Sequence, residues 1–155
     1  MDVLWILDQT EHKPACVPLG ASVGEAARAL ATNEAAAVLV LDAAGRLAGI
    51  VSEDAIATGI CAHGASLCVQ PARTLMREPL ATCSPHESLF SVLRRMTQHG
   101  MREIAVVEDR KPIGVITQRQ VLSSWLSALA IEDAMRRPLV SATRNDDADM
   151  ALAHD

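Results

Sequence analysis

One short stretch of the chain occurs twice. "GIVSEDAI" begins at Gly49, and "GVITQRQV" begins at Gly114. In each copy a glycine precedes two branched apolar residues and a hydroxyl residue, and another branched apolar residue closes the stretch. A segment repeated at a fixed interval indicates duplicated supersecondary units. The repeat therefore constrains the architecture more strongly than any single motif does.

The residues that begin the predicted helices repeat as well. Ser22 with Glu25, and Ser84 with Glu87, have the spacing of capping boxes, and Pro85 occupies a position where a helix tolerates proline. Apolar residues at helical spacing follow both boxes. We therefore predict one helix directly after Ser22 and another directly after Ser84.

Two strands follow each of these helices. Runs of Val and Ile bounded by turn residues predict strands at 35–42 and 102–109, each followed by a partner strand, "LAGIVS" or "PIGVIT". A second helix then begins in each copy, and Thr117 with Gln120 has the spacing of another capping box. The order strand, helix, strand, strand, helix thus occurs twice.

This order predicts the fold class. The copies are offset by about 62 to 65 residues, and a unit of that size buries too little surface to be stable alone. We expect an α/β (α+β) fold with two β-α-β-β-α repeats packed as a pseudo-two-fold pair. The predicted repeats are 1–70 and 74–130. Residues 131–155 are either a C-terminal tail or the start of a truncated third repeat, because "MREPL" is echoed by "MRRPL".

Composition excludes several kinds of partner. The net charge is −5 and no long basic run is present, so nucleic acid is not an expected partner. The longest apolar run, Ala35–Leu41, is far shorter than the ~20 residues that a membrane-spanning helix needs. No secretion signal is visible, so we expect a cytoplasmic protein with reduced cysteines.

The repeated motifs resemble a known family. The segments "SVGEAARAL…AVLVLDAAGRLAGIVSEDAI" and "LMREPLATCSPHESLFSVLRRM…MREIAVVEDRKPIGVITQRQVL" are similar to the cystathionine-β-synthase (CBS) domain, in the tandem pair called a Bateman module. The likeness covers about residues 15–130 and is greatest to small stand-alone bacterial CBS-pair proteins. It implies a non-enzymatic regulatory module that binds an adenosine ligand (AMP, ADP, ATP or S-adenosylmethionine) between its repeats. It also implies a homodimer whose geometry signals to an effector domain or protein, with no required cofactor.

The resemblance also implies ligand positions. Ser52 and Thr117 match the family's hydroxyl position, but Ala55 and Gln120 replace the acid that usually holds the ribose. Asp54 lies one residue early, so helical geometry predicts that it points away from the cleft between the repeats. The expected second site comprises Thr82, Cys83, Ser84, Arg102, Ile104, Ala105, Thr117, Arg119 and Gln120. The expected first site, which we predict to be degenerate, comprises Cys16, Val17, Ala36, Ala37, Ser52 and Ala55.

Two other functions remain open at this point. The missing acids are consistent with a CBS-type dimerisation scaffold that has lost nucleotide binding. The cysteines and histidines allow a metal or redox domain, although their spacing lacks the paired pattern of structural zinc sites, and we expect no metal. The acids and histidines form no recognisable nucleophile–base set, so we expect no enzymatic activity.

Overall fold

The computed structural model describes residues 1–10, 13–78 and 81–137. The helices are α1 (Val3–Asp8), α2 (Val23–Asn33), α3 (Glu53–His63), α4 (Leu89–Gln98) and α5 (Gln118–Arg136). The strands are β1 (Cys16–Pro18), β2 (Ala37–Leu41), β3 (Leu47–Ser52), β4 (Thr82–Cys83), β5 (Glu103–Glu108) and β6 (Lys111–Thr117). Two 3₁₀ turns, Gly64–Val69 and Ala72–Thr74, connect the repeats.

The strands form two sheets with the same topology. Their orders are β1-β2-β3 and β4-β5-β6, and in each sheet the first pairing is parallel and the second antiparallel. Both sheets have a register shift near the end of their central strand, after Val40 and after Val106. The predicted α/β fold of two β-α-β-β-α repeats is therefore confirmed.

Alternate residues of the central strands pack on opposite faces, as the two-residue period of a strand requires. In the first sheet, Val38 and Val40 join the core formed with the helices of that repeat. Leu39 and Ile50 instead join Ala37 and Ala105 in a second cluster that includes residues of both sheets. The two repeats therefore share apolar contacts across facing sheets.

The chain divides into two compact units, Met1–Val121 and Leu122–Asp155. The first unit contains both sheets. The described part of the second unit is the remainder of α5 and Arg137, which follows it. Arg137 forms an ion pair of 3.2 Å with Asp133 of the helix, and the helix exposes a series of large apolar side chains. The exposed apolar residues are Leu122, Leu126, Leu129, Ile131 and Met135. The predicted start of a third repeat falls mostly on residues outside the described ranges.

The prediction that a helix begins directly after Ser84 is wrong. Helix α4 begins at Leu89, and Ser88 is its N-cap. The Glu87 carboxylate does accept the Ser84 N–H, at 2.7 Å, but the intervening backbone is not helical. The Pro85 carbonyl accepts the N–H of Leu4, at 2.8 Å, and the N–H of Leu89 donates to the Met1 carbonyl. The chain's first residues thus satisfy the groups that a helix would have paired with each other.

Each repeat is completed by the segment that precedes the other repeat. The N–H of Val3 donates to Glu87 in the second repeat, at 3.0 Å. In the first repeat, the N–H of Ala72 donates to Ala21 in the same way, at 2.8 Å. Antiparallel bridges follow the same correspondence, because Asp2 pairs with Ser88 and Ser22 pairs with Pro71. Residues 1–8 therefore pair with the backbone of the second repeat in the way that residues 70–77 pair with the backbone of the first.

This exchange of segments between the repeats explains the glycine that begins each repeated stretch. A Cβ on Gly49 would lie 2.1 Å from Cγ of Met76 and 3.0 Å from the Arg77 carbonyl oxygen. A Cβ on Gly114 would lie 2.7 Å from a Leu7 methyl group. Both positions favour glycine because a long apolar side chain lies directly over the strand. That side chain comes from the crossing segment, residues 1–8 or 70–77, which completes the repeat to which the glycine belongs.

Candidate functional site

Each repeat places a helix N-terminus at the end of a strand. In the first repeat, Ser52 is buried and caps α3, since its hydroxyl accepts the Ala55 N–H at 3.1 Å. The next N–H, of Glu53, donates to the Ala36 carbonyl at 3.1 Å. Ala55 has no polar side-chain atom, so it offers a ligand no side-chain hydrogen bond, and the first turn of α3 carries the acids Glu53 and Asp54.

The second repeat has the same backbone arrangement with more polar side chains. The N–H of Gln118 donates to the Arg102 carbonyl at 2.9 Å, as that of Glu53 does in the first repeat. The predicted capping box is present: Thr117 Oγ1 accepts the Gln120 N–H at 3.1 Å, and Gln120 Oε1 accepts the Thr117 N–H at 2.8 Å. The amide oxygen of Gln120 is therefore used to begin α5.

The prediction that Asp54 points away from the cleft is wrong. Its Oδ2 lies 2.8 Å from Nη1 of Arg102, which belongs to the second repeat. The two side chains remain 68% and 76% exposed, so solvent screens this ion pair. Asp54 reaches Arg102 because the facing sheets bring α3 close to the start of β5, which a single helix considered alone cannot reveal.

Glu103, next to Arg102 on β5, is half-buried. Burial raises the pKa of its carboxyl, and the nearby Asp54 carboxylate raises this pKa further, whereas Arg77 and Arg102 act in the opposite direction. Asp54, Arg77 and Arg102 thus act on the Glu103 carboxyl where the repeats meet. Sequence reasoning selected only Arg102 of these four.

The predicted site residues differ in what they offer a ligand. Several have side chains buried in the cores, where they cannot contact a ligand directly; Ala37 and Ala105 belong to the cluster between the sheets. The buried residues are Val17, Ala37, Ser52, Cys83, Ile104 and Ala105. The partly or fully exposed residues are Cys16, Ala36, Ala55, Thr82, Ser84, Arg102, Thr117, Arg119 and Gln120.

Glu87 and Arg95 brace the loop that carries Thr82, Cys83 and Ser84. Arg95 Nη1 donates to the Thr82 carbonyl at 2.7 Å and to Glu87 Oε2 at 3.2 Å. Burial raises the pKa of the Cys83 thiol to about 12, so this cysteine is a packed apolar residue and not a reactive thiolate. The brace fixes the backbone of the predicted second-site loop.

Replacing Glu87 should weaken folding in a pH-dependent way. The hydrogen bond from Arg95 lowers the pKa of the Glu87 carboxyl. The stability that the ionised carboxylate adds is therefore present above the ordinary Glu pKa and is lost as pH falls through the lowered value. For Glu87→Gln we expect about 1–2 kcal/mol lower unfolding free energy at pH 7 and a smaller loss on acidification. Denaturant unfolding at pH 7 and below pH ~4 measures both effects. Glu108→Gln, at an exposed position on β5, is the control, and equal losses for both variants would contradict the brace.

A groove of about 560 Å³ lies between α2 and α3 of the first repeat. Its lining is mostly small and apolar, with the carboxylates of Glu34 and Glu53 among the residues that form it. Of the predicted site residues, only Ala36 contributes to this groove. The groove therefore adjoins the strand–helix junction through Ala36 and Glu53, although Ser52 does not line it.

Within residues 1–10, 13–78 and 81–137, no group of three or more His, Cys, Asp and Glu side chains is arranged to hold a metal ion. Over the same ranges, no helix is both long enough and apolar enough to cross a bilayer.

Comparison with known proteins identifies the family. The model of the CBS domain matches residues 10–61 and 72–127 of this chain. The chain belongs to the CBS domain family. The two matched segments correspond to the two CBS repeats, so the resemblance inferred from the repeated motifs is confirmed.

Known CBS proteins share both the sequence and the fold. A CBS domain-containing protein of Arabidopsis thaliana is 29% identical over 122 residues, which are 76% of this chain and 21% of that protein. The chain thus spans about a fifth of this curated relative. The crystal structure of a CBS-domain containing protein from Agrobacterium tumefaciens is 26% identical, with a TM-score of 0.70 over 80% of this chain and 98% of that one. A CBS domain protein from Pyrobaculum aerophilum, solved in complex with AMP, shares the fold at 21% identity, with a TM-score of 0.67 over 77% and 89% of the two chains.

Proposed function

We propose that this CBS pair is a regulatory, non-catalytic module that binds an adenosine nucleotide at the second repeat and signals through the geometry of a dimer. The observation that carries the proposal is the asymmetry between the two strand–helix junctions. Where the first repeat has Ala36 and Ala55, the second has Arg102 and Gln120. A helix N-terminus with a hydroxyl and a nearby cation favours the binding of phosphate.

The first repeat is proposed to be degenerate as a ligand site. Ser52 is buried and already caps α3, and Ala55 cannot hydrogen-bond a ribose through its side chain. We therefore propose a single adenosine ligand per chain, with AMP, ADP, ATP or S-adenosylmethionine as the candidates.

Adenosine nucleotides at about 100 times their dissociation constant should stabilise the protein by about 2.7 kcal/mol, which gives a measurable rise in the melting midpoint. Thermal melting of the full chain with AMP, ADP, ATP, S-adenosylmethionine and GMP measures this. We expect a rise with at least one adenosine compound and none with GMP. Thr117→Val should remove the rise, whereas Ser52→Ala, at the degenerate junction, should lower the ligand-free midpoint but leave the rise intact. No rise with any adenosine compound would favour the alternative, a dimerisation scaffold without a ligand.

Association into a homodimer is a separate part of the proposal. The exposed leucines of the second unit, including Leu122, Leu126 and Leu129, offer apolar surface that association would remove from water. Sedimentation of the full chain at micromolar concentration should show a dimer, and Leu126→Glu should shift it toward monomer. A monomer at these concentrations for the unchanged protein would contradict this part of the proposal.

A further inference from the structure

Glu103 lies beside the strand–helix junction of the second repeat, where β6 ends at Thr117 and α5 begins. Glu103 and Thr117 are partners in the register of β5 and β6. Residues directly opposite each other in an antiparallel pair project from the same face, with Cβ atoms ~4.5–5.5 Å apart. The side chains of Glu103 and Thr117 therefore leave the sheet next to each other.

The face they share is the one that meets the first repeat. Two residues beyond this pair, Ala105 and Val115 are partners on the same face. Ala105 is part of the cluster between the sheets, and Val115 packs against it. Glu103 and Thr117 thus lie at the end of the surface along which the repeats face each other, where this surface ceases to be filled by apolar side chains.

The Glu103 carboxylate is an unused acceptor at this place. Within the part of the chain that the structure describes, it makes no ion pair and accepts no hydrogen bond from another residue. The Asp54 carboxylate, which acts on Glu103 from the first repeat, is instead paired with Arg102. A half-buried carboxylate without a partner is unfavourable, and the raised pKa of Glu103 reflects this cost.

Neither Gln120 nor the equivalent position in the first repeat offers a free side-chain acceptor of this kind. Gln120 occupies the position at which the family resemblance places an acid, but its Oε1 accepts the N–H of Thr117. The equivalent of Glu103 in the first repeat is Ala37, since Ala37 is the register partner of Ser52. The second junction thus has a carboxylate, that of Glu103, at the position where the first junction has the methyl group of Ala37.

We propose that Glu103 accepts the hydrogen bonds of the ribose 2′- and 3′-hydroxyls of an adenosine nucleotide, in place of the acid missing at position 120. This role rests on the proposed function. A ribose diol offers two O–H donors, and an ionised carboxylate has two acceptor oxygens. Thr117 and the N-terminus of α5 would then face the phosphate.

The test compares two ligands on matched variants. Titration calorimetry with AMP and with 2′,3′-dideoxyadenosine monophosphate, which lacks both hydroxyls, is performed on the unchanged protein, on Glu103→Gln and on Glu108→Gln. Replacing the charged acceptor by an amide should weaken AMP binding about ten-fold, while the affinity for the dideoxy compound should change less than about two-fold. Glu108→Gln, on the same strand at an exposed position, should change neither affinity.

Glu103→Gln should fold normally. Because the folded-state pKa of Glu103 is raised, its ionised form opposes folding above that pKa, so the variant should melt no lower than the unchanged protein at pH 7. Unaltered AMP binding in Glu103→Gln would overturn the role of Glu103 and leave the nucleotide site intact. Equal losses for AMP and the dideoxy compound would also overturn it, since the effect would not depend on the hydroxyls. If the unchanged protein bound neither compound and no adenosine compound raised its melting midpoint, the proposed function would fail and this role with it.

Discussion

Gly49→Ala should destabilise the protein by about 1–3 kcal/mol, the usual cost of forcing atoms into a packed interior. The new methyl group would lie 2.1 Å from Met76 Cγ, 2.4 Å from its Sδ and 3.0 Å from the Arg77 carbonyl oxygen. A new rotamer of Met76 would not relieve the contact with the Arg77 carbonyl, because the backbone of Arg77 is tied to the strand. The N–H and the carbonyl of Arg77 both bond to Ile50, each at 2.9 Å.

Substitutions at two other glycines provide stability costs with which that of Gly49→Ala can be compared. Gly114→Ala meets only the terminal methyl of Leu7 at 2.7 Å, which a rotamer change can relieve, so its cost should be smaller than that of Gly49→Ala. Gly20→Ala meets nothing within 4 Å and should be neutral or slightly stabilising. Urea unfolding of the three variants gives the order directly.

A double-mutant cycle identifies the cause. Met76→Ala should lose stability alone, because Met76 packs against the core of the first repeat. Adding Gly49→Ala to Met76→Ala should cost less than it does in the unchanged protein, because the space is then available. Additive costs, or equal costs for Gly49→Ala and Gly20→Ala, would show that the crossing segment does not explain the glycine.

Arg102→Ala should produce the largest loss of nucleotide affinity among exposed positions, about ten-fold for AMP, with little effect on uncharged adenosine. Arg102 lies at the start of β5, and its carbonyl accepts the first N–H of α5. A guanidinium there is suited to a phosphate at the helix N-terminus. Calorimetry with AMP and adenosine at low and high salt measures the difference.

A substitution of Asp54 should change AMP affinity in the opposite direction to Arg102→Ala. Asp54 pairs with Arg102, so a phosphate must compete with a carboxylate. Exposed ion pairs contribute little, and Asp54→Asn should therefore raise AMP affinity by at most about five-fold. Arg94→Ala, an exposed arginine on α4, is the control for net charge. Weaker AMP binding in Asp54→Asn, or equal losses in Arg94→Ala and Arg102→Ala, would contradict the assignment.

Sequence reasoning worked best where a signal is local. The strand "LAGIVS" was predicted with the bounds of β3, and the Thr117–Gln120 box is present as expected. It failed where a distant segment competes for the same groups. The spacing of Ser84 and Glu87 is that of a capping box, yet residues 1–4 take the backbone partners and move the helix start to Leu89.

The sequence by itself determined the duplicated β-α-β-β-α order, the family and the residues at the two strand–helix junctions, because period, caps and turns are properties of neighbouring residues. Only the tertiary structure decided that each repeat is completed by the segment preceding the other, and that Gly49 lies beneath Met76. It also decided that Asp54 pairs with Arg102 and that Glu103 lies opposite Thr117. These contacts join residues far apart in the chain, and the packing of two facing sheets brings them together.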